Sequence, residues 1–423
     1  MKDFFSFENA GGDYPLLGQE IARGVPLAVF GAADPQKYFI ASLVGGRAVY
    51  ITADALTAKR AYEAISALSG KKCALLSAKD EVLTYRKALS KDALYRRLTA
   101  LYEWQAGADV LIADIEALVQ IVPKKVNFFH LSAGMELDLH TLTEALTRAG
   151  YTREYTVDGK GAFSVRGDIL DIYPINCEHP VRIDFFGDEI ENIRPYDEVT
   201  AERYPKLSEI DLVAATDVYL TEGDEVKIRA AFAEELKHAK SSEAYARLQK
   251  IAGEITECGF SSDFILPMLS QSCDCFSLFG DALLVFDECK LIRDKLDGLY
   301  KEHFERLSVL CEAMRFSGAQ YMPEAALSRF SEFRNIALQT FSGQTYFFNP
   351  MKIYNFTSTP ARRYLNSLPE LIGDLRAWNK TGYRAMIWCG THERAQKLRE
   401  ELSDQYLPVS PLTDRLEKFK GID

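Results

Sequence analysis

The residue types best suited to chemistry lie in the loop that follows the first apolar segment. Residues 26–30 have the composition of a buried strand, and the loop from Gly31 to Tyr38 leads from it into a helical stretch. A phosphate-binding loop in this position reads GxxxxGK followed by Ser or Thr, with a glycine where the backbone meets phosphate and a hydroxyl for magnesium. Only Gly31 and Lys37 fit, because Gln36 stands at the second glycine and Tyr38 at the Ser or Thr. Whether this is a decayed phosphate loop or an ordinary strand–helix turn, we expect no nucleotide there.

An acidic pair, Asp287-Glu288, follows the apolar residues Val285-Phe286. An NTPase places such a pair at the end of a strand to coordinate magnesium, and the metal then contacts the phosphates of the nucleotide. With a degenerate phosphate loop the pair lacks that partner. We therefore interpret it as inherited architecture and predict no catalytic residue.

The eight cysteines do not form a metal-binding pattern. None belongs to a CxxC motif, and the one close pair, Cys273 and Cys275, has no histidine nearby. Structural zinc sites use four Cys or His ligands, commonly at such short spacings. The sequence therefore predicts no metal and no cofactor, and the cysteines are expected to be free thiols of a cytoplasmic protein.

Residues 161–197 have the period of antiparallel strands. Phe163 and Val165 alternate with polar residues, and the parity of the apolar positions changes after Gly167, which predicts a bulge at that glycine. Residues 174–180 then have the composition of a hairpin loop, and a turn at 187–188 leads into a third short strand.

The return strand of this hairpin carries an aromatic residue on its polar face. Every second residue from Val181 to Phe185 is apolar, so Arg182 and Phe186 share the opposite face, and Arg166 is expected to project from the same side. Arginine and aromatic residues are enriched at the centres of protein-binding surfaces. The alternative is that Phe186 folds over the sheet edge or packs under the next turn, because single exposed apolar residues are common.

The elements around these segments alternate between strands and helices. Predicted strands cover 26–30, 48–52, 73–76 and 109–113, and predicted helices cover 15–23, 55–68 and 92–105. This order predicts a parallel sheet with helices on both faces. The predicted fold class is α/β: a degenerate RecA-like (P-loop-type) parallel sheet with an inserted small α+β domain and a C-terminal small α/β domain.

Changes of composition set the predicted domain boundaries. From about residue 127 a short strand, a helix over 139–149 capped by Asp138, and antiparallel strands from residue 151 replace the α/β pattern. We assign residues 1–126 and 214–348 to the first domain, 127–213 to the insertion, 349–361 to a linker, and 362–423 to a third domain that is expected to be truncated. Within these units we predict helix over 224–256, apolar segments at 264–269 and 281–286, and a helix, a strand and a helix at 369–378, 383–388 and 393–403.

The overall composition excludes several classes of protein. Hydrophobic residues make up 47% and charged residues 26%, as in a globular chain, and no apolar run approaches the ~18 residues of a membrane-spanning helix. The formal net charge of −11 argues against extensive non-specific duplex binding, which needs a basic face. Three basic clusters are expected to decorate solvated helix faces: Arg86-Lys87, Arg96-Arg97 and Arg362-Arg363.

The hairpin also resembles a known family. The motif FxVRGDILDIYP, followed by HPVRIDFFGDEIENIR, is similar to the second domain shared by the excinuclease subunit UvrB and the transcription-repair coupling factor Mfd. UvrB would carry an intact phosphate loop and a tyrosine-rich hairpin close behind it, and neither is found. The degenerate loop, the insertion and the α/β unit after about residue 362 together resemble the N-terminal part of the coupling factor.

This resemblance implies a function for the hairpin. In the family the second domain recruits UvrA to a stalled RNA polymerase, and the motif residues that carry over are Arg166, Arg182 and Phe186. The same surface is masked by a C-terminal domain in the intact resting protein, and RNA polymerase and duplex DNA bind parts that this chain lacks. The alternatives from the residues are a UvrB-like nucleotide-dependent DNA-repair helicase subunit and a DNA-binding module.

Overall fold

The structure, a computed structural model, describes residues 6–7, 12–79, 91–197, 204–218, 220–221, 223–239, 241–257, 263–310, 328–357, 362, 364, 367–383, 385, 387, 389, 391–405 and 407. Its strands are β1 (Leu27–Phe30), β2 (Ala48–Thr52), β3 (Cys73–Leu76), β4 (Val110–Asp114), β5 (Val122–Pro123), β6 (Asn127–Ser132), β7 (Thr152–Arg153), β8 (Ala162–Arg166), β9 (Ile169–Ile172), β10 (Val181–Phe186), β11 (Glu189–Pro195), β12 (Glu209–Val213), β13 (Ser272–Cys273), β14 (Leu283–Asp287), β15 (Arg334–Gln339) and β16 (Lys352–Asn355). Its α-helices are α1 (Tyr14–Ala22), α2 (Asp34–Leu43), α3 (Ala55–Ser69), α4 (Asp92–Gln105), α5 (Ile115–Val119), α6 (Leu139–Arg148), α7 (Asp224–Lys237), α8 (Ser242–Glu257), α9 (Cys289–Leu310), α10 (Leu368–Lys380) and α11 (His392–Ser403).

The larger sheet confirms the predicted fold class. Seven strands of the described chain run parallel in the order β16-β1-β15-β14-β2-β4-β3. The inner strands β1, β2, β4 and β14 are buried along their whole length, because helices cover both faces of the sheet. Alternate residues of each strand enter separate cores: Val29 and Tyr50 lie in one, Ala28 and Ile51 in the other. The predicted bounds of β3 and α4 agree with the structure.

The predicted linker over 349–361 is wrong for its central residues. β16 pairs in parallel with β1 as the edge strand of the large sheet, and the N–H of Phe356 donates to the carbonyl of Phe30 at 2.8 Å. Pro350 precedes the strand, where a missing N–H removes no bond between strands. The sequence KIYN concealed the strand, because an edge strand is paired on one side only and most of β16 is exposed.

Residues 127–213 build a second set of sheets. β6 and β12 form an antiparallel pair from the two ends of this segment, and five strands form a sheet in the order β11-β10-β9-β8-β7. Helix α6 begins after Asp138 as predicted, and the carboxylate of Asp138 accepts the N–H of Thr141 at 2.8 Å. Phe163 and Leu170 are fully buried on the inner face of the five-stranded sheet.

Two details of the predicted strands are wrong. Gly167 forms no bulge; it adopts a φ of +59° in a tight turn that joins β8 to β9 as antiparallel neighbours. The parity change in the sequence therefore marks a reversal of the chain. The register shift lies instead between Asp184 and Phe185, where β10 pairs with β11. β7 pairs with β8 in parallel, where an antiparallel strand was predicted.

The helical predictions hold in outline. The helical character predicted over 224–256 is confirmed, and the structure divides it into α7, which ends at Lys237, and α8, which begins at Ser242. The apolar segment at 264–269 forms a 3-10 helix, Asp263–Met268. The strand predicted over 383–388 includes residues 384, 386 and 388, which lie outside the described residues. Within the described part of the chain, no helix has the length and apolar character needed to cross a membrane.

Candidate functional site

Gly31 is held by the backbone of its own chain. It follows β1 with a φ of +76°. A Cβ atom at this position would lie 1.8 Å from the carbonyl oxygen of Phe356, just after β16. The close approach of these two backbone segments therefore requires a glycine. The first residue that matches a phosphate loop thus has a conformational role that involves no ligand.

The two positions that depart from the phosphate-loop pattern are also structural. The side chain of Gln36 accepts the N–H of Ala33 at 3.0 Å and so caps the start of α2. Tyr38 is buried, and its ring centroid lies 6.2 Å from that of Tyr50. Burial raises the pKa of Tyr38 to about 12. Both side chains stabilise the strand–helix junction.

Lys37 is buried and pairs with three carboxylates. Its Nζ lies 2.8 Å from Asp287 Oδ1, 2.6 Å from Glu288 Oε1 and 3.2 Å from Asp34 Oδ1. Burial lowers the pKa of Lys37, but the charge of Asp287 and the hydrogen bonds to Asp287 and Glu288 outweigh burial and hold that pKa above its ordinary value. The predicted phosphate-loop lysine and the acidic pair of β14 therefore meet directly.

A second set of groups satisfies the same carboxylates. The Tyr50 hydroxyl donates to Asp287 at 2.9 Å, and the N–H and hydroxyl of Thr340 donate to Glu288 at 2.7 and 2.6 Å. Glu288 adopts a φ of +63°, which is strained for a residue with a side chain and turns its carboxylate toward Lys37. A phosphate entering here would displace two carboxylates from the lysine.

The predicted binding residues lie on one face of the five-stranded sheet. Arg166 on β8 is in register with Asp184 on β10, and Ile169 of β9 lies between them. Arg182 and Phe186 lie two residues on either side of Asp184, so all of them project to the same face. From strand spacing and rise, the Cα atom of Arg166 lies roughly 12 Å from those of Arg182 and Phe186. We call this side of the sheet the outer face; its residues are Arg166, Ile169, Arg182, Asp184 and Phe186.

Phe186 is open to solvent. Its side chain is 79% exposed, while that of Phe185, the preceding residue, is 6% exposed. The alternative in which Phe186 folds over the edge or packs under the next turn is therefore wrong. An aromatic residue so exposed at a strand end is the strongest feature of the outer face.

Arg182 is held rigidly at the opposite end of β10. Its Nε and Nη2 donate to the two oxygens of Asp171 at 2.7 and 2.9 Å, in the forked geometry that fits a carboxylate. These hydrogen bonds raise the pKa of Arg182 above its ordinary value. Its guanidinium also lies 5.5 Å from the ring centroid of Tyr196. Local pattern does not single out Asp171, whose position opposite Arg182 follows only from the β9–β10 register.

The Phe186 end of the outer face is acidic. Five carboxylates lie on or beside this end of the sheet: Asp168, Asp184, Asp188, Glu189 and Glu191. Two cations lie beside them, because Arg166 is in register with Asp184 and Lys206 donates a hydrogen bond to Asn192, the cross-strand partner of Asp184. With five carboxylates against these two cations, the Phe186 end carries a net negative charge. Of these acids, the sequence alone indicated Asp168 as an influence on the charge of this surface, and the positions of the other four follow from the strand register.

The prediction that the basic clusters decorate solvated helix faces is confirmed for Arg96, which is exposed on α4, and is wrong for Arg97. Arg97 is buried and donates to the carbonyls of Ser77, Ala117 and Gln120, so its guanidinium is satisfied by the backbone after β3 and around α5. Arg362 pairs with a glutamate of α10 at 3.2 Å. Arg86-Lys87 and Arg363 lie outside the described residues.

Cysteines and metal ligands give no second site. The six cysteines within the described ranges are free thiols, and burial raises the pKa of the Cys273 and Cys177 thiols to about 11. No group of three or more His, Cys, Asp or Glu side chains in these ranges could hold a metal ion.

Comparison with known protein families gives a match for the segment that contains the five-stranded sheet. Residues 129–218 match the family described as "UvrB interaction domain". This range contains the whole five-stranded sheet, including Arg166, Arg182 and Phe186.

Relatives cover most of the chain. A transcription-repair-coupling factor of Myxococcus xanthus is 28% identical over 80% of this chain and 30% of its own length, and that of Bacillus subtilis is 23% identical over 84% and 32%. The UvrABC system protein B of Thermosipho africanus is 24% identical over 77% of this chain and 55% of its own length. The chain thus spans about a third of the coupling factors that it matches. The chain is a UvrB-like region, similar to the N-terminal part of transcription-repair-coupling factors, and its residues 129–218 match the UvrB interaction domain family.

Proposed function

We propose that this chain is the module of a coupling-factor-type protein that binds UvrA through the outer face of the five-stranded sheet. The observation that carries the proposal is the 79% exposure of Phe186 within the segment that matches the UvrB interaction domain. An exposed large aromatic side chain is unfavourable in water, and burying it against a partner contributes favourable free energy to binding. Arg166 and Arg182 complete the set of residues that the resemblance assigns to UvrA binding.

The size of the expected contribution follows from the exposed area. Covering Phe186 removes on the order of 150 Å² of apolar surface, which corresponds to about 3 kcal/mol before the costs of association. Arg182 needs little ordering on binding, because Asp171 already holds its guanidinium with two hydrogen bonds. A preorganised arginine loses less entropy when a partner contacts it.

We also propose that the degenerate phosphate loop neither binds nor hydrolyses a nucleotide. The pairing of Lys37 with Asp287 and Glu288 occupies the charges that a nucleotide and its magnesium would need, which supports a module without its own NTPase activity. RNA polymerase and duplex DNA are proposed partners of other parts of the whole protein. UvrA is the partner proposed for this chain.

Size-exclusion co-elution with UvrA tests the proposal. The wild-type chain is expected to co-elute, and Arg166→Ala, Arg182→Ala and Phe186→Ala are each expected to reduce the shared peak. Phe341→Ala is the matched control, because Phe341 is 80% exposed on the loop after β15, in the other domain. Co-elution of the Arg182→Ala/Phe186→Ala double variant at the wild-type level would refute the proposal.

A further inference from the structure

The outer face extends beyond the three residues of the resemblance, to the segment between β7 and β8. Tyr155 is 89% exposed, the highest value among the large hydrophobic side chains of the described residues. Its carbonyl accepts hydrogen bonds from Ser164 Oγ at 3.1 Å and from Arg166 Nη2 at 3.0 Å. Ser164 and Arg166 alternate along β8 and therefore share one side of the sheet, so the Tyr155 carbonyl that accepts from both lies on the side of the outer face, above the buried Ser164.

The ring of Tyr155 contacts the guanidinium of Arg166. The distance from Arg166 Cζ to the ring centroid is 5.6 Å, within the range of a cation–π contact. Arg166 is thereby fixed at two points, by the carbonyl and by the ring of one residue. Phe186 and Tyr155 then bracket Arg166 on the outer face, one on the β10 side and one beyond β8.

We propose that Tyr155 is a second aromatic anchor for the partner of the outer face, and that it positions Arg166 for the same contact. The inference rests on the proposed binding of UvrA and extends the site to a fourth residue. Tyrosine supplies a large contact area at a low conformational-entropy cost and is enriched at binding hot spots. A partner surface that covers Phe186 and Arg166 would also bury the Tyr155 ring.

Calorimetric titration of the chain with UvrA tests this role. Tyr155→Ala is expected to weaken binding by about tenfold or more, as truncation of an aromatic anchor does, while Tyr155→Phe keeps the ring and is expected to bind like wild type. Tyr383→Ala is the matched control, because Tyr383 is 70% exposed and lies after α10, outside the insertion.

The outcomes separate this inference from the proposed function. The Tyr155→Ala variant retains the backbone carbonyl that accepts Arg166, so an unchanged thermal midpoint is expected, and the loss of affinity reports on the ring. If wild type binds UvrA and Phe186→Ala weakens that binding while Tyr155→Ala does not, the role of Tyr155 is refuted and the proposed function stands. If the wild-type chain shows no binding, both fail.

Discussion

Replacing Lys37 by methionine removes the cation that Asp287 and Glu288 share and keeps the length of the buried stem. Asp287 is 3% exposed in its side chain and retains only the Tyr50 hydroxyl as a donor among the hydrogen bonds described above. Glu288 is 23% exposed and retains two hydrogen bonds from Thr340. The cost of the substitution therefore falls mainly on Asp287.

Two estimates give the expected loss of unfolding free energy in Lys37→Met. Breaking a buried ion pair by removing one partner costs about 3–5 kcal/mol of unfolding free energy. Asp287 can avoid being a buried unpaired charge by binding a proton. Keeping an aspartate with the usual pKa of ~3.9 protonated at pH 7.5 costs about 5 kcal/mol, at 1.36 kcal/mol per pH unit. We therefore expect Lys37→Met to lose about 3–5 kcal/mol at pH 7.5.

The dependence on pH follows from the sign of the shift. Burial already raises the pKa of Asp287 in the folded wild type, more than Lys37 and Tyr50 lower it, and loss of Lys37 raises it further. A raised folded-state pKa means that the ionised form destabilises the fold, so the penalty is present at neutral pH and relieved as pH falls through the folded-state pKa. At pH 5.5 the cost of keeping Asp287 protonated is about 2 kcal/mol. The unfolding free energy of the Lys37→Met variant should therefore come closer to that of wild type.

Chemical denaturation followed by circular dichroism at pH 7.5 and 5.5 measures this difference. The companion variant Lys37→Met/Asp287→Asn removes the buried charge, keeps the hydrogen bond to Tyr50, and is expected to regain most of the lost stability. An unfolding free energy of Lys37→Met equal to that of wild type at pH 7.5 would refute the buried pair as a stabilising contact. A loss that does not shrink at pH 5.5 would refute the assignment to Asp287.

Three further outcomes are expected. Calorimetric titration with magnesium-ATP should give no binding to the wild-type chain, because Lys37 is already paired; a measurable affinity would contradict the silent phosphate loop. Arg182→Ala should weaken UvrA binding by about 2 kcal/mol or more, and Arg182→Lys, which keeps the charge but not the fork to Asp171, should weaken it less; equal losses would show that charge is irrelevant. The association rate with UvrA should fall as salt rises, because the Phe186 end is acidic and favours a basic partner surface; Asp184→Asn should reduce that dependence, and a rate insensitive to salt would exclude electrostatic steering.

Local pattern was sufficient for much of the fold and for the orientation of the candidate face. Alternation over residues 181–186 predicts which side chains of β10 are buried, because the period of a strand is fixed by its geometry. The apolar runs of β1, β2 and β4 likewise predict a parallel sheet. The exposure of Phe186 agrees with that reasoning.

The features that could not be predicted depend on contacts between residues that are distant in the sequence. The glycine at position 31 is explained by Phe356, and the burial of Lys37 by Asp287 and Glu288, none of which local pattern can bring together. β16 was missed for the same reason, because its strand character comes from pairing with β1. The parity change at Gly167 was visible, but a bulge and a tight turn produce the same change in the sequence.

We propose that the exposed aromatic end of the outer face binds UvrA. Isothermal titration of UvrA with the wild-type chain, Phe186→Ala and the equally exposed control Phe341→Ala tests it most directly. We expect wild type and the Phe341 variant to bind with the same affinity, and the Phe186 variant to bind about 30-fold more weakly, the equivalent of 2 kcal/mol. Equal affinity of all three, or no binding by wild type, would contradict the claim.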